Sequence, residues 1–437
     1  MPKGLTKMCG RMAAMIGTLW RDRRGVTAIV TALGATALIG FTGLAIDVVS
    51  WEVTQHKMQS AADAAARAGS IATSIPTATD QDVTDAADAV AASYGFVNGQ
   101  NGTNVTTVWP YLGNQNEVQV VISQPQPQFF SRLFLAAAPS VTVQAAARLP
   151  APAGNGDMCV MTLGASGKLD VGNADFTGNT TVNMSTCDLY NNSTDASSTE
   201  LNGSSILDVR NMYLAGGYTV SGSAQLNMGG TAATYVTPVP DPYAGMAIPS
   251  YSGCNQTNYS LAPNTTATIA PGVYCGGMNI QGNLTLQPGT YIIDGGNFTV
   301  NAQAAITGTG VTIILTSSSG TNYGTVTING GATVSLTAPA AGAAAGVPGI
   351  ALWIDRNAPL ATDYLNGGSN QNINGVIYMP SQQVSFNGGS SQATTCLQLI
   401  ALSVTFSGNS DTYITQSGCS ADNLPIKQPP LPPVLVN

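Results

Sequence analysis

Two neighbouring stretches decide the fold: Pro271-Gly-Val-Tyr-Cys-Gly-Gly-Met-Asn-Ile280 and Pro288-Gly-Thr-Tyr-Ile-Ile-Asp-Gly-Gly-Asn-Phe-Thr-Val300. Each reads Pro-Gly-x-Tyr, then Gly-Gly, then an alternating run; the second has two extra residues before Gly-Gly. Leu214-Ala-Gly-Gly-Tyr-Thr-Val-Ser-Gly222 is a looser echo, and Asn-Gly-Gly turns recur at 329–331, 366–368 and 387–389. β-branched and aromatic residues in short alternating runs favour strands, and Gly and Asn supply the turns between them. A repeat of about twenty residues that cannot bury its own apolar face points to stacked units. Residues 151–420 therefore read as an all-β domain, a parallel β-helix (solenoid). A β-sandwich is the alternative, because short strands with Gly turns occur there too.

Composition agrees with a strand-and-turn body. Only 8% of the 437 residues are charged, and there are 49 glycines. The charge is uneven. The first 24 residues hold six basic side chains (Lys3, Lys7, Arg11, Arg21, Arg23 and Arg24) against Asp22 alone. The rest of the chain holds 8 basic against 21 acidic residues, which leaves no basic footprint for nucleic acid.

Upstream of the β region, residues 1–25 read as a basic cytoplasmic head and 26–46 as a transmembrane helix. Val26 to Ile46 contains no charged residue. As a helix it would span about 31 Å, close to the hydrocarbon thickness of a bilayer. Asp47 ends the run and Trp51 follows, a residue favoured at membrane interfaces. The basic head before the apolar run predicts a single pass, with the N-terminus cytoplasmic and the remainder outside the bacterial inner membrane. Ala28, Ala32, Thr36 and Gly40 recur every four residues, and Gly43 and Asp47 extend the same ridge. Small side chains permit close helix packing in lipid, so this ridge is a candidate assembly face. Residues 47–150 read as a juxtamembrane helix and a small α+β stem. The stem has a helix at Asp82–Tyr94, strands at Val105–Val108, Val118–Ile122 and Val141–Ala147, and a short helix within Gln128–Ala137. The Pro-rich tail, 421–437, reads as extended.

The order Arg24-Gly25, apolar run, Ala45-Ile46-Asp47-Val48, then Gln55, Gln59 and Ala61-Ala62-Asp63-Ala64-Ala65-Ala66-Arg67-Ala68-Gly69 resembles the N-terminal segment of TadE/TadG-like Flp pilus-assembly proteins. Arg67 stands where that family often has an apolar residue. Gly25 is followed by Val26-Thr27-Ala28-Ile29-Val30, without the Glu that marks prepilin-peptidase substrates, so an uncleaved protein is expected. The resemblance implies a Tad secretion or pilus-assembly context. Its partners would be other Tad membrane proteins and the lipid bilayer.

Six cysteines, Cys159, Cys187, Cys254, Cys275, Cys396 and Cys419, follow the apolar run and Cys9 precedes it. An even number on one side predicts disulfides in an oxidising compartment. Stacked rungs make the sequence-neighbour bridges easiest: Cys159–Cys187, Cys254–Cys275 and Cys396–Cys419. No catalytic, cofactor or metal site is expected. His56 is the only histidine, and no phosphate-loop motif occurs. Asp170, Asp175, Asp188, Asp294, Asp355 and Asp411 are scattered singly beside turns, where an Asp usually caps the backbone. Asp195-Ala-Ser197-Ser-Thr199 fits a metal-adhesion pattern formally but follows a polar loop, so the distal domain is not expected to be of the von Willebrand type. The leading expectation is a non-enzymatic scaffold of a Tad-type assembly. The alternatives are an anchored adhesin that binds envelope glycan and, behind it, a β-helix polysaccharide hydrolase or lyase.

Overall fold

The computed structural model describes residues 24–73, 78–149, 157–164, 173–366, 370–387, 391–409, 411–429, 431 and 434–436. Two units are present: Met1–Leu149 with Leu435–Asn437, and Pro150–Val434.

In the first unit, helix α1 (Arg24–Ala72) and helix α2 (Asp80–Ser93) pack on an antiparallel sheet of β1 (Asn104–Val108), β2 (Glu117–Pro125) and β3 (Ser140–Arg148). The last strand of the chain, Val434–Val436, adds to this sheet next to β3. Strand alternation sends Val118, Val120 and Ile122 inward, opposite Val143, Ala145 and Ala147. On α1 the buried residues Met58, Ala61, Ala62, Ala65 and Ala66 fall at the spacing of one helical face. Val83, Ala87 and Ala91 form the matching stripe of α2. Thr79 and Asp82 start α2 with a reciprocal capping box. The helices and sheet are partly consistent with the small α+β stem expected; the short helix expected within 128–137 is a single 3₁₀ turn, Ser131–Leu133.

In the second unit every recorded strand pairing is parallel. One track of paired strands shows the order. It runs from Gln256–Leu261 through Gly272–Ile280, Gly289–Asp294, Val311–Thr316, Ile350–Ile354 and Asn370–Asn387 to Leu397–Ser407. It continues into Met158–Thr162, Asp188–Asn191, Met212–Leu214 and Ala232–Ala233. The last long strand therefore pairs with the first, Leu399 opposite Val160. The chain starts in the middle of the stack and winds to one end. It then crosses back along the outside and winds inward from the other end. The repeated Gly-Gly pairs have a steric cause. Gly276, Gly277, Gly295 and Gly296 all have positive φ. A Cβ on Gly296 would lie 2.5 Å from the Gly276 carbonyl.

The return segment explains why strands here are buried on both faces. Val311, Ile313 and Leu315 point into the main core, while Ile314 joins a second cluster with Tyr190, Trp353, Tyr378 and Ile400. Val239 and Tyr243 of the return segment are buried in that second cluster, and Ile426 and Leu431 of the tail pack against it. The Tyr243 hydroxyl donates to Gln398 Oε1 (2.7 Å) and accepts from the Lys427 N–H (2.8 Å). Ile426, Lys427 and Leu431 of the tail thus lie on the second unit, while Val434–Val436 joins the sheet of the first.

The fold expectation is corrected in three respects. Among the described residues no helix is long and apolar enough to cross a membrane, so the transmembrane helix and the single-pass topology are not supported. The strands form one 26-stranded parallel sheet system closed around its core, not the solenoid β-helix expected. A solenoid adds each rung to the one before it in the chain; here the last coil pairs with the first. The β-sandwich fails because its sheets are antiparallel.

Candidate functional site

The longest element, α1, has 49 residues. Its lower half is consumed by packing within the first unit. A Cβ on Gly69 would lie 2.9 Å from Val118 Cγ1, so Gly there permits the close approach of helix and sheet. In the Ala-rich stretch, Ala61, Ala62, Ala65 and Ala66 are buried against α2 and the sheet of the same unit. Gln59 Nε2 donates to Asp63 Oδ1 (2.9 Å) and to the Gln144 carbonyl (3.1 Å), fixing the helix to β3.

Above this core one stripe of α1 holds the loop between β2 and β3. Asp47 is fully buried and its carboxylate accepts three backbone N–H groups, from Phe129 (3.3 Å), Phe130 (3.0 Å) and Ser131 (2.6 Å). One helical turn before it, Gly43 leaves room for the Phe130 ring; a Cβ there would lie 2.5 Å from the ring. One turn after it, Trp51 Nε1 donates to the Pro127 carbonyl (2.9 Å). Burial raises the carboxyl pKa of Asp47, but the hydrogen bonds from Ser131, Phe130 and Phe129 outweigh it and hold the group below its ordinary range. A charged acceptor at a cluster of N–H donors forms the stronger class of hydrogen bond.

Gly43 and Asp47, the upper end of the small-residue ridge, thus meet at a loop of the same chain. Ala32 is exposed. The side chains of Ala28, Thr36 and Gly40 lie outside the described residues. The loop partners, Pro127 and Phe129–Ser131, are absent from the sequence reading. Their signal is the run Phe129-Phe130-Ser131-Arg132-Leu133-Phe134-Leu135, five large apolar residues between two strands.

In the second unit the cysteines are joined Cys159–Cys187, Cys254–Cys275 and Cys396–Cys419, with Cα separations of 5.6, 5.7 and 4.7 Å. Three of the candidate carboxylates, Asp188, Asp294 and Asp355, serve local structure. Asp188 is buried and paired with Arg210 (2.8 Å). Asp294 accepts from the Ser318 backbone and hydroxyl, and Asp355 accepts from Thr316. Asp195 Oδ1 accepts the Ser197 N–H (3.0 Å), a local turn. Asp170 lies outside the described residues. Among the described residues no group of three or more His, Cys, Asp or Glu could hold a metal ion.

Residues 25–94 match the family of putative Flp pilus-assembly TadE/G-like proteins. This segment is TadE/G-like. It takes in α1 from Gly25 onward and the whole of α2, so the clasp residues Gly43, Asp47 and Trp51 lie inside it. The match connects the chain with Flp pilus assembly and its other components, and with the cell envelope. No curated protein and no solved structure matches the chain.

Proposed function

We propose that this protein is a non-catalytic structural component of a Tad-type (Flp) pilus assembly, held at the cell envelope and docking other assembly proteins through its TadE/G-like unit. One observation carries the reading. The family match coincides with a helix that uses one face for its own sheet and leaves another bare, with Leu38, Phe41 and Ile46 exposed. The three disulfides support a second unit that works outside the cytoplasm. The test is site-specific photo-crosslinking in cells, with the probe at Ala35 or Ala45 on the bare face and at Tyr218 in the second unit as control. Adducts with Flp pilus-assembly proteins are expected from the first two. Their absence, or equal yield from Tyr218, overturns the proposal.

One feature of the second unit favours glycan binding as a second reading. A groove of 420 Å³ is lined by Asn258, Tyr259, Asn279, Asn297, Asn322 and Tyr323. Amides both donate and accept, which suits sugar hydroxyls, and tyrosine offers an apolar face with a polar tip. A glycan array should then show binding that is lost in Tyr323→Ala. An array without hits removes this reading.

A further inference from the structure

Two grooves of the second unit lie on the same coils. The first, of 420 Å³, is the one that Asn258 and Tyr323 line. The second, of 390 Å³, is lined by Asn264, Gln281, Asn283, Asn301 and Gln303. Between them run three strand segments, 259–261, 278–280 and 298–300, paired side by side. The first groove lies where these segments begin and the second where they end. Ser260, Asn279 and Thr299 stand in register on the outer face, while Met278, Ile280, Phe298 and Val300 are buried in the main core. Asn301 Nδ2 donates to Asn279 Oδ1 (2.6 Å), so side chains of the two grooves touch. Glycine lowers both floors. A Cβ on Gly276 would lie 2.2 Å from Asn258 Oδ1, and one on Gly282 would lie 2.4 Å from the Thr265 carbonyl oxygen.

The amides decide the class of ligand. Buried amides such as Asn191 and Gln398 are spent on the protein itself. Among the described residues, the side chains of Asn258, Asn264, Gln281, Asn283 and Gln303 make no hydrogen bond to the protein, and all five line the two grooves. Each offers two N–H donors and one carbonyl acceptor. A ligand that matches such a row must donate and accept at closely spaced positions, as a run of sugar hydroxyls does. Charge narrows the class. Between Arg210 and Arg356 the chain holds no Lys or Arg, and no carboxylate lines either groove. An anionic sugar would give up hydration there without a cationic partner, which is costly. Spacing sets the length. Gly277 and Gln281, one at each groove, are four residues apart, about 13 Å along a strand, too far for one sugar ring to touch both.

We propose that the two grooves are subsites of one site for a neutral, linear glycan, whose chain crosses the outer face over Ser260, Asn279 and Thr299. The proposal rests on the glycan reading above for the first groove. It adds the second groove, the exclusion of charged sugars and the need for a chain.

The full chain is titrated with neutral linear oligosaccharides graded by length, cello-oligomers and chito-oligomers, and with oligogalacturonates of the same lengths. The longer neutral oligomers should bind about tenfold or more tightly than the disaccharides, because a second set of amide hydrogen bonds is added. Oligogalacturonates should bind more weakly at every length. Gln281→Ala with Asn283→Ala should bring the longer oligomers down to the level of the disaccharides and leave disaccharide binding as it was. Tyr323→Ala, in the first groove, should weaken both. Disaccharides bound as tightly as longer oligomers overturn the proposal and leave the single-groove reading standing; this comparison uses the unaltered chain and does not depend on the variants. A double variant that folds and keeps the length dependence removes the second groove. Oligogalacturonates bound as tightly as neutral chains overturn the neutral class. Binding of no oligosaccharide overturns the single-groove reading together with this one.

Discussion

Strand Val311–Thr316 in the second unit has all six side chains buried: Val311, Ile313 and Leu315 in the main core, Ile314 in the cluster that the return segment covers, and Thr312 and Thr316 bonded to Ile350 and Asp355. Helix α1 in the first unit buries Met58 and its alanines, yet leaves Phe41 74% exposed a few turns away. Both elements are strongly apolar. They differ in whether the same chain supplies a cover. The second unit covers itself by sending residues 234–250, with Ile426 and Leu431 of the tail, back over its outer face. Its exposed large apolar residues are scattered and mostly tyrosines, such as Tyr218, Tyr235, Tyr364 and Tyr413. The first unit covers only one face of α1, and most of its exposed large apolar residues lie on that helix and on the clasped loop. The first unit therefore leaves apolar surface open, and the second buries most of its own.

The sharpest way to break this contrast is at the join of the second unit. Phe406 stacks between Phe176 and Phe386, at 5.3 and 4.8 Å between ring centroids, where the last coil meets the first. Phe406→Ala should cost about 4 kcal/mol through lost burial and the cavity left behind. Denaturant unfolding reads the loss, and hydrogen exchange should show α1 amides unaffected. Parallel loss of protection in α1 would show that the two units unfold as one.

Next in size is the bridge that closes the final coil. Replacing Cys396 and Cys419 with Ser should cost about 3 kcal/mol, the chain-entropy value for a loop of this length. The unfolding midpoint of the second unit should fall, with that of the first unit unmoved.

A smaller effect, of opposite sign, comes from a carboxyl sealed in by the same self-covering. Asp363 is fully buried; Oδ1 accepts the Val326 N–H (2.5 Å) and Oδ2 has no partner among the described residues. Burial pushes its pKa up to about 7, with the Val326 hydrogen bond opposing. Below the ordinary carboxylate range the group is protonated in both states and costs nothing. As pH rises towards 7 the unfolded chain ionises and the folded one does not, so stability falls, and above 7 the loss is constant. Asp363→Asn should remove this slope and raise stability at pH 8. An unchanged pH profile would mean that the carboxyl is ionised in the fold.

The smallest change in global stability is expected at the clasp. Asp47 has a lowered pKa, so its contribution is present above the ordinary carboxylate range and is lost as pH falls through the folded value. Asp47→Asn should speed hydrogen exchange at Phe129, Phe130 and Ser131 at neutral pH and leave β2 and β3 protected. Wild-type protein should show the same local opening only in acid. Faster exchange throughout the sheet would make Asp47 part of the first unit's core and not a clasp.

Local pattern by itself determined a good deal. Alternation in Phe298-Thr-Val300 marks a strand, Gly295 and Gly296 mark a turn, and the apolar runs at 105–108, 118–122 and 141–147 mark the strands of the first unit. These signals are legible because each is a property of a few consecutive residues. The TadE/G-like segment is legible for the same reason, as an ordered set of residues within one helix. What only the tertiary structure decided is who meets whom. The pairing of Leu399 with Val160 joins positions far apart in the chain, and parallel strands carry no mark of their neighbour. Asp47 reads as the end of an apolar run, yet its partners are N–H groups more than eighty residues away that any sequence would supply. Backbone donors have no side-chain signature, so a site built on them appears only when the chain has folded.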